Sequence, residues 1–204
     1  MLDSTGLHGG FEGFDITEID PFRDSISTFT SATDPKESYE LNTLRRAINI
    51  VSDPEVLEYN IATMPGIMQH NATKYLLDTM EDRGDSLAII DIRKIYDPAS
   101  ENTSSAADRN AYTIEQAVVN LRDRNINNSY GACYAPWVRV QEPTSNRTLW
   151  VPPSVVAMGA LSTTDRESYP WYAPAGFARG GLSDGDGGLP VLDVSKRLTQ
   201  DDRD

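Results

Sequence analysis

Ser86-Leu87-Ala88-Ile89-Ile90-Asp91-Ile92 is a nearly continuous apolar run, preceded by the polar Arg83-Gly84-Asp85. It lacks the alternation of a half-exposed strand and so predicts a strand covered on both faces, the kind found in parallel sheets flanked by helices. The residues before it agree. Gln69 to Asp82 presents Tyr75, Leu76 and Met80 at helical spacing, with Gly84 placed for a left-handed cap. Val56 to Met64 is a short apolar-rich stretch stopped by Pro65-Gly66, which predicts a buried strand. Strand, helix, strand predicts a parallel α/β sheet.

Toward the N-terminus, Asp34-Pro35-Lys36-Glu37 has the form of a helix start, with a capping aspartate and proline at the first helical position. The helix is expected to run to about Ser52, with Leu41, Leu44, Ile48 and Val51 on one face. Met1 to Thr33, rich in Gly and Asp with scattered Phe11, Phe14, Phe22 and Phe29, has no sustained period and is expected to be loop.

Toward the C-terminus, Tyr96 to Ala111 is polar and expected to be loop. Thr113-Ile114-Glu115-Gln116 then matches a capping box opening a helix to about Asn125, with Ile114, Ala117, Val118 and Leu121 inward. Ser129 to Gln141 predicts a strand broken or placed at an edge by Pro136, and Thr148 to Val151 a hairpin partner for it. Pro152-Pro153 opens a helix from Ser154 to about Thr164 whose Ala157, Gly159 and Ala160 permit close backbone approach. Ser168 to Gly188 is expected to be extended and irregular, Leu189 to Leu198 a short ordered piece, and Thr199 with the acidic residues after it the start of a helix. The expected organisation is a loop-rich segment 1–33, an α/β domain 34–166, and an extended segment 167–204 that begins a truncated further element.

Lys+Arg 18 against Asp+Glu 31 gives a net charge of -13, which repels phosphate backbones and argues against direct nucleic-acid binding. The longest apolar runs fall far short of the ~20 residues of a membrane span, so membrane insertion is not expected. Met1 to Gly10 lacks the basic and apolar regions of a signal peptide. The single cysteine, Cys133, has no internal disulfide partner, suits a reducing cytoplasm, and is expected to be a buried, inert thiol.

Nothing in the chain assembles into a catalytic motif. His8 and His70 are the available bases, and no Gly-x-Ser-x-Gly turn accompanies them. Asp91, at a strand end where α/β enzymes keep catalytic groups, is the best residual candidate, and a cap for the following turn is the preferred role. Asp184-Gly185-Asp186-Gly187-Gly188 has the look of a calcium loop, but its twelfth position is Ser195 instead of glutamate, so a solvated turn is expected. The glycine pairs lack the lysine of a phosphate loop. No catalytic, metal or cofactor-binding residue is assigned, no cofactor is expected, and the chain is not expected to be an enzyme. Of the aromatics Trp137, Trp150, Tyr169, Trp171 and Tyr172, which suit an interaction surface, two are expected in the core instead, whereas Trp171 and Tyr172 lie in the irregular segment and are expected to anchor it, to their own domain or to a neighbour.

Three stretches, in order, resemble the contractile tail sheath proteins of bacteriophages. They are Tyr130-Gly131-Ala132-Cys133-Tyr134-Ala135-Pro136-Trp137-Val138; Val151-Pro152-Pro153-Ser154-Val155-Val156-Ala157-Met158-Gly159 with Thr164-Asp165-Arg166; and Trp171-Tyr172-Ala173-Pro174-Ala175-Gly176. Arg45 to Asp91 is similar to the same family more weakly. The resemblance implies a three-layer α/β fold of subtilisin-like topology without protease activity. It also implies a chain that lacks the family's C-terminal domain and much of its first half, and which alone stays soluble and largely monomeric. The implied function is a virion-tail subunit that assembles in the host cytoplasm and contracts to drive the tube through the host envelope during genome ejection. The implied partners are other copies of itself in stacked six-subunit rings, the tail tube protein, the baseplate and the tail terminator. Trp171, Tyr172, Pro174 and Arg179 are the interface candidates. The alternatives are a phage-tail-like bacteriocin or injection machine, and an α/β hydrolase.

Overall fold

A computed structural model describes residues 39–94, 105, 107, 112–169, 171–176 and 180–200. Its elements in order are α1 (Tyr39–Ile50), β1 (Ile61–Thr63), α2 (His70–Arg83), β2 (Leu87–Asp91), α3 (Ile114–Asp123), β3 (Gly131–Tyr134), β4 (Val138–Gln141), β5 (Thr148–Val151), α4 (Pro153–Glu167), a 3-10 turn (Leu182–Asp184) and β6 (Val191–Val194). The expected helix start at 34–37, the loop 1–33 and the acidic residues 201–204 lie outside the described residues, as does most of the expected loop 96–111.

The apolar run is the middle strand of a parallel sheet ordered β1-β2-β3, in which Ile61 pairs with Leu87 and Ala88 with Gly131. Successive side chains of a strand point to opposite faces. Ala88 and Ile90 join Ile48, Leu76, Leu77 and Met80 in a buried cluster supplied by α1 and α2. Asp91 instead meets the start of α4 through hydrogen bonds to Ser154. The protein is thus mixed α/β, with helices covering both sides of β2.

Local chemistry sets the element ends. Gly84 adopts the left-handed cap at φ 74°, and its N–H bonds the Met80 carbonyl. Both halves of the Thr113/Gln116 capping box form, which opens α3 at Ile114. Ile114 and Ala117 are buried as expected, but Val118 is exposed, because α3 packs through the 114/117/121 stripe and Val118 sits at its edge.

Two expectations are corrected. Val56 to Met64 is not a strand throughout. Asp53 turns the chain, its carboxylate accepting from the Glu55 N–H, so Val56 and Leu57 are exposed and only Ile61–Thr63 pairs. Arg83 fastens this loop, donating to the carbonyls of Val51 and Leu57 at 2.8 and 2.5 Å with its guanidinium 4.0 Å from the Tyr59 ring centre. Ser129 to Gln141 is likewise not one strand. Pro136 has no N–H to give to a ladder, and there the chain leaves the parallel sheet.

Beyond Pro136 the chain builds a second, antiparallel sheet ordered β5-β4-β6. β4 and β5 form the expected hairpin, with Val138 opposite Val151. β6 adds to the other edge of β4, so residues from the C-terminal segment complete this sheet. Val138, Val140 and Val156 form its buried core, joined by Val151, Leu189, Val191 and Val194. Because Val156 belongs to α4, one helix packs on both sheets.

Candidate functional site

Pro152 and Pro153 pre-set the backbone for α4 but leave its start without any side-chain cap. The orphan N–H groups of a first helical turn need acceptors from elsewhere. Asp91 supplies one from the end of β2. Its Oδ1 accepts from the Ser154 N–H at 3.1 Å, and its Oδ2 accepts from the Ser154 hydroxyl at 2.7 Å and from the Gly66 N–H at 3.0 Å. Asp91 and Ser154 are both buried. The role expected for Asp91 is a cap for the turn that succeeds it; the carboxylate instead caps a helix far along the chain and pins the Pro65-Gly66 turn. Burial raises its carboxyl above the ordinary value, against the pull of those three hydrogen bonds.

An aspartate beside a serine invites comparison with a hydrolytic triad, which also needs a histidine base on the serine. Both Asp91 oxygens are held by Gly66 and Ser154, and the Ser154 hydroxyl is spent as a donor to the carboxylate. His70 opens α2, where burial first, then Arg124 and Lys74, lower its pKa. His8 lies outside the described residues. Cys133, expected to be buried, is exposed on the edge strand β3, yet its thiol is pushed up to about 11 by desolvation and then by the Asp91 carboxylate. A thiol so shifted is a poor nucleophile at neutral pH.

The interface candidates lie just beyond α4. Trp171 is 77% exposed, Tyr169 61% and Tyr172 43%, so the core covers none of them. They cover one another: Tyr169 and Trp171 stack at 4.7 Å with planes 2° apart, and Tyr172 lies 6.2 Å from Tyr169. The Tyr172 N–H bonds the Tyr169 carbonyl at 2.9 Å, folding the segment into a turn that holds the rings together. Pro174 is half-buried in the next bend, where the Ala175 N–H donates to the Ala173 carbonyl at 2.9 Å. Arg179 lies outside the described residues. Trp137 and Trp150 are only partly buried: the Trp137 indole donates to the Ile92 carbonyl at 3.3 Å, and Arg139 approaches Trp150.

The Asp184–Gly188 turn is more than a solvated loop. Asp186 Oδ2 accepts from the Gly181 N–H, Gly185 takes φ 93°, and Gly187 is buried against α4. Its acidic group is therefore used in closing its own loop. Among the described residues no cluster of His, Cys, Asp and Glu is placed to hold a metal.

A second feature escaped the sequence. Beside the end of β2 lies a shallow surface dimple with enclosed room for about one water molecule, lined by Met68, Ile92, Arg93, Ala117, Asn120, Leu121 and Arg124. Arg93 lies over the Tyr112 ring at 4.2 Å, and Arg124 donates to the Met68 carbonyl at 3.0 Å. Arg124 is the C-cap residue of α3, a position that favours its charge at the negative end of the helix. That charge was the one available signal.

Compared with family models and with curated proteins, the chain matches none.

Proposed function

We propose that this chain is a structural subunit of a contractile tail sheath, polymerising around a tail tube and contracting to drive it through a host envelope. In this reading the α/β unit has the subtilisin-like topology of sheath proteins and uses its surface for assembly, not catalysis. The observation that carries the proposal is the exposed Trp171, which opens the last of the three sheath-like stretches and stacks on the exposed Tyr169 just before it. Large aromatics left in water are costly unless a partner covers them, and they are enriched where protein interfaces concentrate their energy. The other two stretches supply β3 with the crossing to β4, and the last residue of β5 with much of α4, the helix that carries that aromatic turn.

Such a machine needs no cofactor. Its work comes from the difference in buried interface between two packings, and ~1 kcal/mol per subunit, the scale of one interface contact, multiplies across every copy. The net charge of -13 keeps unassembled copies apart.

An antibody raised against residues 153–176 tests the proposal on tail-like particles sedimented from cultures producing the protein. Decoration repeating along the tube length of the disrupted particles is expected. Particles whose protein bands lack peptides of this chain would remove the sheath reading.

A further inference from the structure

We propose that the loop joining α1 to β1 is a docking ridge for a basic amphipathic segment of another protein, a short stretch whose apolar side chains are flanked by lysine or arginine. The ridge shares no residue with the aromatic turn, and the inference does not rest on the sheath reading.

The loop is braced from within. The Arg83 side chain has no exposed surface, and it directs its donors to the carbonyls of Val51 and Leu57 and to the Asp85 carboxylate. The two carbonyls bond neighbouring nitrogens of one guanidinium, so the backbone leaving α1 and the backbone at Leu57 are drawn together. The Tyr59 hydroxyl reaches the same Val51 carbonyl at 2.6 Å while its ring packs on the core, and the N–H groups of Val56 and Leu57 both bond the Asp53 carbonyl. Yet this bracing displays apolar side chains. Ile50 is 73% exposed, Val56 70% and Leu57 46%, and every residue from Asp53 to Glu58 is exposed. A mere connection from α1 to β1 has no use for apolar groups held in water, because ordering them costs conformational entropy that burial does not return. Together they offer on the order of a few hundred Å², the range in which an apolar surface patch is commonly functional.

Charge decides what fits. Asp53, Glu55 and Glu58 flank the apolar side chains and are exposed, as are Glu81, Asp82 and Asp85 around Arg83 at the end of α2. Arg46, one turn before Ile50 on α1, is an exposed cation set against those carboxylates. Two such ridges facing each other would oppose carboxylate to carboxylate, which argues against a second copy in a two-fold pair. The chain's own residues 1–38 carry Arg23 and Lys36 against eight carboxylates, so that stretch has the wrong sign as well. The complement is a segment whose lysines or arginines meet the carboxylates while its apolar side chains meet Ile50, Val56 and Leu57. The patch is well below the ~800 Å² per partner of a stable protein pair, so the occupant is a short segment and not a broad face. A loop ordered beforehand also loses less entropy on docking.

Titration of the isotopically labelled full chain with a synthetic peptide of leucines and lysines in amphipathic helical order, followed by NMR chemical shifts, tests this. A peptide with the same leucines and glutamates for lysines is the control. The expected shifts centre on 50–58 and 81–85 and occur with the lysine peptide alone. Val56→Ser combined with Leu57→Ser lowers its affinity about tenfold or more. That pair leaves the brace in place, since Arg83 bonds backbone carbonyls, and unchanged shifts outside the loop report the intact fold. Glu55→Lys combined with Glu58→Lys keeps the apolar side chains and lowers lysine-peptide affinity while raising that for the glutamate peptide. Shifts centred elsewhere, no binding, equal binding of the two peptides, or an affinity indifferent to the Val56 and Leu57 changes overturn the proposal. Concentration-dependent shifts at 50–58 without peptide would give the ridge to a second copy and overturn it too.

Discussion

Gly159 of α4 has no room for a side chain, because the carbonyl of Gly187 stands where its Cβ would be. Gly187 is confined in turn by the Val156 side chain. Helix and loop therefore touch backbone to backbone, and the contact seats the C-terminal segment beside the antiparallel sheet. Gly159→Ala should improve helix propensity yet destabilise the protein by about 1–3 kcal/mol through overpacking. Urea unfolding would measure the loss, and limited proteolysis should show faster cleavage at residues 180–190. A variant as stable and as protected as the parent would show that the loop yields freely.

Asp91 holds three donors in a buried place, so Asp91→Ala should cost about 3–5 kcal/mol, the sum expected when several buried donors lose their acceptor. Ser154→Ala keeps the backbone bond to Oδ1 and should cost about 1–2 kcal/mol. Chemical denaturation of both variants gives the comparison, and equal losses would contradict the capping role.

Two carboxylates should bend the pH profile of stability in opposite directions. The Asp91 carboxyl is raised in the folded state, so the native protein binds this proton more tightly than the unfolded chain. Its contribution falls as pH rises from the unfolded value of ~3.9 through the raised folded value. The Asp85 carboxyl is lowered, first by its hydrogen bond from Arg83 and then by that from Ser86. Its contribution is present above the unfolded value and is lost as pH falls through the folded one. Asp85→Asn should flatten the acid limb, and Asp91→Asn should steepen it, in unfolding curves recorded from pH 3 to 7.

Val156 and Trp171 should separate folding from assembly. Val156 is 3% exposed within the antiparallel-sheet core, so Val156→Asp should cost several kcal/mol, from ~1.5–3 kcal/mol of lost burial plus the penalty of an unpaired charge. Trp171→Ala removes an exposed side chain and should change stability by no more than about 0.5 kcal/mol. Thermal melts of both, alongside incorporation into tail particles, should show Trp171→Ala folded but poorly incorporated.

No turnover is expected with peptide and ester substrates, since the Ser154 hydroxyl donates to Asp91 instead of facing a base. Hydrolysis abolished by Ser154→Ala or His70→Ala, in proteins that remain folded, would restore the hydrolase alternative.

The parallel sheet was legible because its signals are local. β2 is one contiguous apolar run, Gly84 marks the end of α2, and the capping box of α3 lies within four residues. The second sheet was legible only as a hairpin. β6 pairs with β4 across some fifty residues, and a four-residue strand carries no spacing that names such a partner. The Asp91–Ser154 contact spans 63 residues and left a single trace, a double proline opening a helix that no side chain caps. Residue type identified Trp171 and Tyr172 as interface candidates, but their mutual stacking is a property of the turn. The dimple was invisible because its lining comes from three separate segments.

During synthesis, Asp91 leaves the ribosome's catalytic centre 63 residues ahead of Ser154. At ~5–20 residues per second, the carboxylate waits roughly 3–13 s for the helix it caps. Through that interval β2 has its α1 and α2 side available for packing while the opposite side, including the Asp91 carboxyl, stays hydrated. The nascent sheet is thus one-sided until the double proline and its helix arrive, and that is the period in which a chaperone would find apolar surface to hold.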